Sequence, residues 1–203
     1  MADFEVFDCE QGTPEWFAAR AGIPTASQFS TVLASGKGGG ESLTRRKYLY
    51  QLAGEAITRT VADSFSNAHM ERGKTMEADA RRLYAFQADA EPRSVGFVRR
   101  GRAGASPDSL IDADGLLEIK TKLPHLQIEC LLDNRVPSEH IAQIQGQMWV
   151  TGRDWCDFVS YWPGLPLFVK RVARDAAYIA NLETQVARFN DELDAIVARV
   201  KDL

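Results

Sequence analysis

The chain has 203 residues, 45% hydrophobic and 26% charged, with a formal net charge of −4. That is enough for one domain with a substantial core, and no stretch approaches the roughly 18 apolar residues that a membrane span needs. Three scattered cysteines without CxxC spacing (Cys9, Cys130, Cys156) argue against a disulfide framework or a zinc or iron–sulfur site, and the acidic opening MADFEVFDCE lacks the apolar run of a signal peptide, so a reducing, cytoplasmic setting is expected.

The first fifteen residues carry five acids and no base. GTPEWFAARAGI then starts a short helix, with Thr13 as N-cap, Pro14 at the first helical position and Glu15 in the first turn. A second short helix is expected from Thr25 or Ser27 in PTASQFSTVLA. ASGKGGGES, residues 34–42, is a glycine-rich flexible loop. A longer helix follows in SLTRRKYLYQLAGEAITR. Another lies in NAHMERGKTMEADARRLYAFQ, interrupted by Gly73 but keeping Met76, Ala80, Leu83 and Tyr84 at helical spacing. Lys37, Arg45, Arg46 and Lys47 form one basic island; Arg93, Arg99, Arg100 and Arg102 form a second. Such islands on an acidic body mark either an anionic ligand or a solvated face.

The period then changes. RSVGFVRR, GLLEIKTK, DWCDFVSYW and PLFVKRV read as strands. PSEHIAQIQGQMWVTG between the second and third is a helix with Ile141, Ile144, Met148 and Trp149 on its apolar face. From Asp175 the chain is one long helix with a stripe from Ile179 through Leu182, Val186, Phe189, Leu193 and Ile196 to Val200. The order predicts a single α/β domain over 1–203, with a central mixed sheet flanked by helices. Its parts are N-terminal helices over 13–90, a core sheet and helix over 93–172, and a C-terminal helix over 175–201.

The chemistry concentrates in GASPDSLIDADGLLEIKTK. Residues two apart on a strand share a face, so Glu118, Lys120 and Lys122 point one way and Leu117 and Ile119 the other. The turn DADG lets the SPDSL strand pair with LLEIK as a hairpin, which brings Asp108 close to Glu118. Two carboxylates on adjacent strands suit Mg²⁺, a hard cation that takes oxygen ligands and shares substrate phosphate oxygens. Lys120 beside them can hold an attacking water and offset charge on the phosphate. The other reading is a surface hairpin with solvated Glu and Lys.

SPD, a turn and EIK resemble the PD-(D/E)xK nuclease superfamily, and the resemblance extends. EWFAARAGIPTAS, RGKTMEADARRLYAF, ASPDSL, LEIKTK and HIAQIQGQMWVTG stand in the order seen in the bacteriophage lambda exonuclease, or YqaJ-type viral recombinase, family. It spans residues 11 to 162 and implies a restriction-endonuclease-like core. The implied activity is a Mg²⁺-dependent 5′-to-3′ exonuclease on linear double-stranded DNA, leaving 3′ single-stranded tails for recombination by strand annealing.

By this resemblance Asp108, Glu118, the carbonyl of Ile119 and Glu77 are metal ligands for two Mg²⁺ ions, with Mn²⁺ as a substitute, and Lys120 is the catalytic lysine. Spacing alone would leave Glu77 an exposed acid paired with Arg81 at i+4. Gln143 matches a family glutamine near the scissile end, although its spacing supports only a polar helix face. Arg20, Ser27 and Ser106 match residues that bind the 5′-phosphate. A guanidinium fork suits phosphate, and a helix N-terminus near Ser27 would favour an anion. Met70 aligns near an apolar residue that the family uses as a wedge to part the last base pairs, although a core methionine is the better default for the residue by itself. Lys37, in the glycine-rich loop, is a second DNA contact. Trp16, at i−4 from Arg20, reads as core, and the lone His69 and His140 are not taken as metal ligands.

The resemblance further implies a homotrimeric ring, whose hole the basic islands would line, and a single-strand annealing protein as partner. The chain departs from the pattern after Lys120: Thr121-Lys122-Leu123-Pro124 replaces a Cys-Pro, leaving Lys122 without a role, and the segment up to His140 is short. Two rivals keep the fold: a catalytically silent DNA-end-binding protein, against which the intact Asp108, Glu118 and Lys120 count, and a site-specific endonuclease.

Overall fold

The computed structural model describes residues 4–40, 42–61 and 68–203; the side chains of residue 37 and of residues 68–74 lie outside the description. The described residues form seven strands and seven α-helices. The first part contains β1 (Glu5–Phe7), α1 (Pro14–Arg20), α2 (Phe29–Val32), α3 (Leu43–Thr58) and α4 (Ala68–Ala88). The second contains β2 (Phe97–Arg100), β3 (Ala103–Ala105), β4 (Ser109–Ile111), β5 (Gly115–Thr121), α5 (Pro124–Asp133), α6 (Ile141–Thr151), β6 (Trp155–Tyr161), β7 (Phe168–Ala173) and α7 (Ala176–Lys201).

Local chemistry sets the helix ends. Thr13 caps α1 by accepting from the Trp16 amide, with Pro14 in the first turn. Ser42 and Asp175 cap α3 and α7 in the same way. Gly152, at φ 73°, closes α6. The second short helix departs from expectation. It is a 3-10 turn over Ala26–Gln28 running into the four-residue α2, with no side-chain cap at Thr25. Ser27 therefore lies inside a tight turn, where the macrodipole of a long helix is lacking. Helix α4 passes through Gly73 without a break, because one interior glycine weakens a helix by only about 1 kcal/mol and removes no backbone bond.

The strands form the expected central mixed sheet, β4-β5-β6-β7, and a second, smaller ladder, β1-β2-β3. Arg93, ahead of β2, exchanges backbone hydrogen bonds of 2.9 and 2.7 Å with Leu110 of β4. All pairings are antiparallel except β5 with β6, which the α5–α6 crossover connects. The hairpin expected from DADG is present, with Ser109 opposite Leu117 and Ile111 opposite Gly115. Asp112 takes the left-handed φ of 45° at its turn. Arg153 Nη1 donates to the carbonyls of Ile111, Asp112 and Gly115 at 3.0, 3.1 and 2.7 Å, tying the turn to the end of α6.

β5 is buried on both faces. Leu117 and Ile119 pack with Met76, Ala80 and Tyr84 of α4, while Leu116 packs with Ile144 and Met148 of α6 and Cys130 of α5. By alternation Glu118 shares the face of Leu116, toward α6. A third cluster joins α3, α6 and α7 around Leu49, Leu52, Trp149, Leu182 and Phe189. The stripe on α7 thus covers its own chain, leaving Val200 exposed near the end. Among the described residues no helix is long and apolar enough to cross a membrane.

Candidate active site

The hairpin and α6 place the carboxylates. Glu118 is almost wholly buried and takes three donors. Gln143 Nε2 reaches Oε1 at 2.6 Å, Gln147 Nε2 reaches Oε2 at 2.6 Å, and Lys120 Nζ sits 2.6 Å from Oε1. Gln143 and Gln147 are one helical turn apart, so a single face of α6 supplies both amides. Asp108, at the entrance to β4, accepts from the Ile119 amide at 2.6 Å through Oδ2. From α4, Glu77 accepts from Arg81 Nη2 at 2.6 Å, and the same nitrogen reaches the Asp108 carbonyl at 3.2 Å. The i+4 pair is present, yet Glu77 is also within the field of the hairpin.

Burial, then Glu118 and Glu77, raise the Asp108 carboxyl well above its usual range. Burial raises Glu77 too; Arg81 opposes that, and Glu118 adds to it. Burial disfavours the Lys120 ammonium, but Glu118, Asp108 and Glu77 outweigh it and the pKa rises. The site is a cluster of mutually repelling hard oxygens with one close ammonium. Among the described residues no three acidic, histidine or cysteine side chains are gathered around one ion position; Glu118 is committed to amide and ammonium donors. The donor set still fits a divalent cation: carboxylate and carbonyl oxygens only, with excess negative charge in a desolvated place.

Arg20, Ser27 and Ser106 come together. They line one cavity of about 170 Å³ with Gln11, Trp16, Thr25, Ala26, Gln143 and Gln147. Trp16 is half-buried at its wall, where the sequence suggested core. Its indole Nε1 donates to Ser106 Oγ at 2.8 Å, and the Arg20 guanidinium carbon lies 4.0 Å from its ring centroid. Arg20 Nη2 donates to Thr25 Oγ1 at 3.4 Å, and that oxygen lies 3.3 Å from Ser27 Oγ. Gln11 holds the carbonyls of Val95 and Pro107, beside Ser106. Tyr48 accepts from the Thr25 amide and Glu55 from the Gly22 amide. Burial lowers the pKa of Arg20, with Tyr48 and Glu55 opposing; a guanidinium starts high enough to stay charged.

The remaining expectations divide. The side chains of Lys37 and Met70, like that of His69, lie outside the described residues. Lys122 Nζ sits 3.0 Å from His140 Nε2 and 3.6 Å from Glu139 Oε1, and the His140 ring stacks on Phe158. The basic islands are largely engaged at home: Arg45 with Glu192, Arg99 with Glu5, Arg102 with Asp194, and Arg100 on the Val150 carbonyl. Gln147 is the site residue that sequence reasoning passed over. Its i+4 spacing from Gln143 was the available signal.

A family profile for the YqaJ-like viral recombinase domain matches residues 15–154. The chain belongs to that family. Two crystal structures of LHK-Exo, an alkaline exonuclease from Laribacter hongkongensis, one of them in complex with dAMP, share 38% identity with this family member. Each superposes with a TM-score of 0.85 over 94% of this chain and 97% of theirs. A phage-related exonuclease from Haemophilus somnus 129PT shares the fold, at 14% identity and a TM-score of 0.66 over 88% of this chain and 96% of that one. No curated protein matches.

Proposed function

We propose that the chain, a deoxyribonuclease of the YqaJ-like family, is a Mg²⁺-dependent exonuclease that degrades linear duplex DNA from the 5′ end and leaves 3′ tails for strand annealing. One observation carries this reading. The cavity lined by Arg20, Ser27 and Ser106 shares its Gln143 and Gln147 wall with the buried carboxylate Glu118. A terminal phosphate seated there lies beside the groups suited to hydrolyse the next bond. Such a pocket also sets polarity, because only one kind of end fits it.

In this reading Asp108, Glu118, the Ile119 carbonyl and Glu77 hold two divalent ions. Bound Mg²⁺ polarises the phosphoryl group and lowers the pKa of a water. Lys120 orients that water and offsets charge developing on the phosphate. Gln143 stands at the border between the pocket and Glu118 and positions the scissile strand. Arg20 forks onto the terminal phosphate, with Ser27 and Ser106 donating hydroxyls. Lys37 and Met70 contact the duplex, Met70 as the wedge. The working form is a homotrimer, and the partner is a single-strand annealing protein.

The test is digestion of duplexes labelled at either end, with and without a 5′-phosphate, in Mg²⁺ and in chelator. The expected result is metal-dependent loss of the 5′-terminal label, faster from phosphorylated ends, with closed circular plasmid left whole. Retardation without shortening would instead establish an end-binding protein. Cleavage of the circle would establish an endonuclease.

A further inference from the structure

The Gln147 amide is a polar group with a single use. The residue is almost wholly buried, its Nε2 is spent on Glu118 Oε2, and its Oε1 is buried with no donor among the described residues. A core position filled for stability would take an apolar side chain of this size, since half of an amide left unpaired in the interior is unfavourable. Polar groups that break this rule are the ones retained for positioning.

The placement of α6 says what is positioned. At Gly146, a Cβ would stand 2.3 Å from a Phe29 ring carbon and 3.4 Å from Ala26 Cβ. The helix backbone therefore lies directly on the segment that brings Thr25 and Ser27 to the cavity. The next residue, Gln147, lines that cavity and holds Glu118 at once. Pocket and carboxylate are joined through one stiff helical turn. Gln143 is the less committed partner, because its acceptor oxygen on Glu118 is shared with Lys120.

We infer that Gln147 is a positioning residue that fixes the orientation of Glu118 and couples it to occupancy of the terminal-phosphate cavity. The inference deepens the exonuclease reading and rests on it. Gln143 and Lys120 share Glu118 Oε1, whereas Gln147 alone holds Oε2, so with a cation bound at the carboxylates Gln143 and Lys120 would be the donors free to turn toward the DNA and Gln147 would keep its hold. Seating the phosphate against α6 then aligns the carboxylate for hydrolysis, so the phosphate acts on turnover as well as on binding.

The decisive variant is Gln147→Met, which keeps volume and removes the donor. Mn²⁺ affinity of the DNA-free protein, read by electron paramagnetic resonance, is expected to fall about 10-fold, as for other supporting groups of metal ligands. The kcat advantage of 5′-phosphorylated over 5′-hydroxyl ends is expected to vanish, while the Kd for phosphorylated duplex stays within about twofold. Should Gln147→Met fail to fold by circular dichroism, Gln147→Asn, which keeps the amide but withdraws it, is read the same way. Unchanged Mn²⁺ affinity and an unchanged kcat advantage overturn the inference. A wild-type protein that shortens linear duplex without any 5′-phosphate advantage overturns the terminal-phosphate assignment of the cavity instead, and one that does not shorten it overturns the exonuclease reading.

Discussion

Glu118 sits among three nitrogen donors, and each offsets part of the cost of burying a carboxylate in the core. Lys120 is the one donor able to act chemically, and Lys120→Ala is expected to reduce cleavage by roughly 100- to 1000-fold while gel retardation of DNA persists. The same substitution leaves Glu118 without its ammonium, so a modest loss of thermal stability should accompany it. Arg20→Ala removes the fork beside Trp16 and is expected to erase discrimination between 5′-phosphate and 5′-hydroxyl ends. Equal losses on both kinds of end would show that Arg20 serves the fold rather than the phosphate. The Asp108, Glu118 and Lys120 cluster was legible from SPD, the turn residues and EIK, because strand alternation and a short hairpin fix neighbours within a few residues. Gln143 was not legible from spacing, since its contact with Glu118 crosses 25 positions and nothing local distinguishes it from a solvated glutamine.

At the scale of elements, helices with good caps were readable and inverted ones were not. Helix α5 escaped because its buried face carries Gln127 and Cys130 while Leu126, Ile128 and Leu132 are exposed, the reverse of the usual pattern. Gln127 is there to bind Pro166 and Ser160, whose partners lie over thirty residues away. Strands β1 and β3 escaped because each spans three residues, and Ala-Gly-Ala has little strand preference. The contact of α6 with α2 depends on the absence of a side chain at one position. Gly146→Ala would drive a methyl into the Phe29 ring, and overpacking of this kind costs about 1–3 kcal/mol. A lower urea midpoint with an unchanged slope is expected. Because the helix carries both amides of the site, cleavage should fall further than stability alone accounts for.

Across the whole molecule, the arginines paired with Glu5 and Asp194 lie on the surface, where such pairs contribute about 0–1 kcal/mol each. They cost little to open when a phosphate backbone approaches. They also make the net charge a poor guide to DNA binding. Buried titratable groups have greater weight, and His140 is the clearest case. Burial, together with Lys122 and Lys120, lowers its pKa to about 4 from an ordinary value near 6.5. The native state therefore refuses a proton that the unfolded chain accepts between those values. The stabilisation is complete above pH 6.5 and is lost as pH falls toward 4, an effect of about 3 kcal/mol at most. His140→Gln keeps an acceptor for Lys122 and removes the titration. Urea denaturation at pH 7 and pH 4.5 should show wild type losing about 2–3 kcal/mol more than the variant. Equal losses would mean that protonated His140 is accommodated beside Lys122, which the 3.0 Å separation of the two nitrogens opposes.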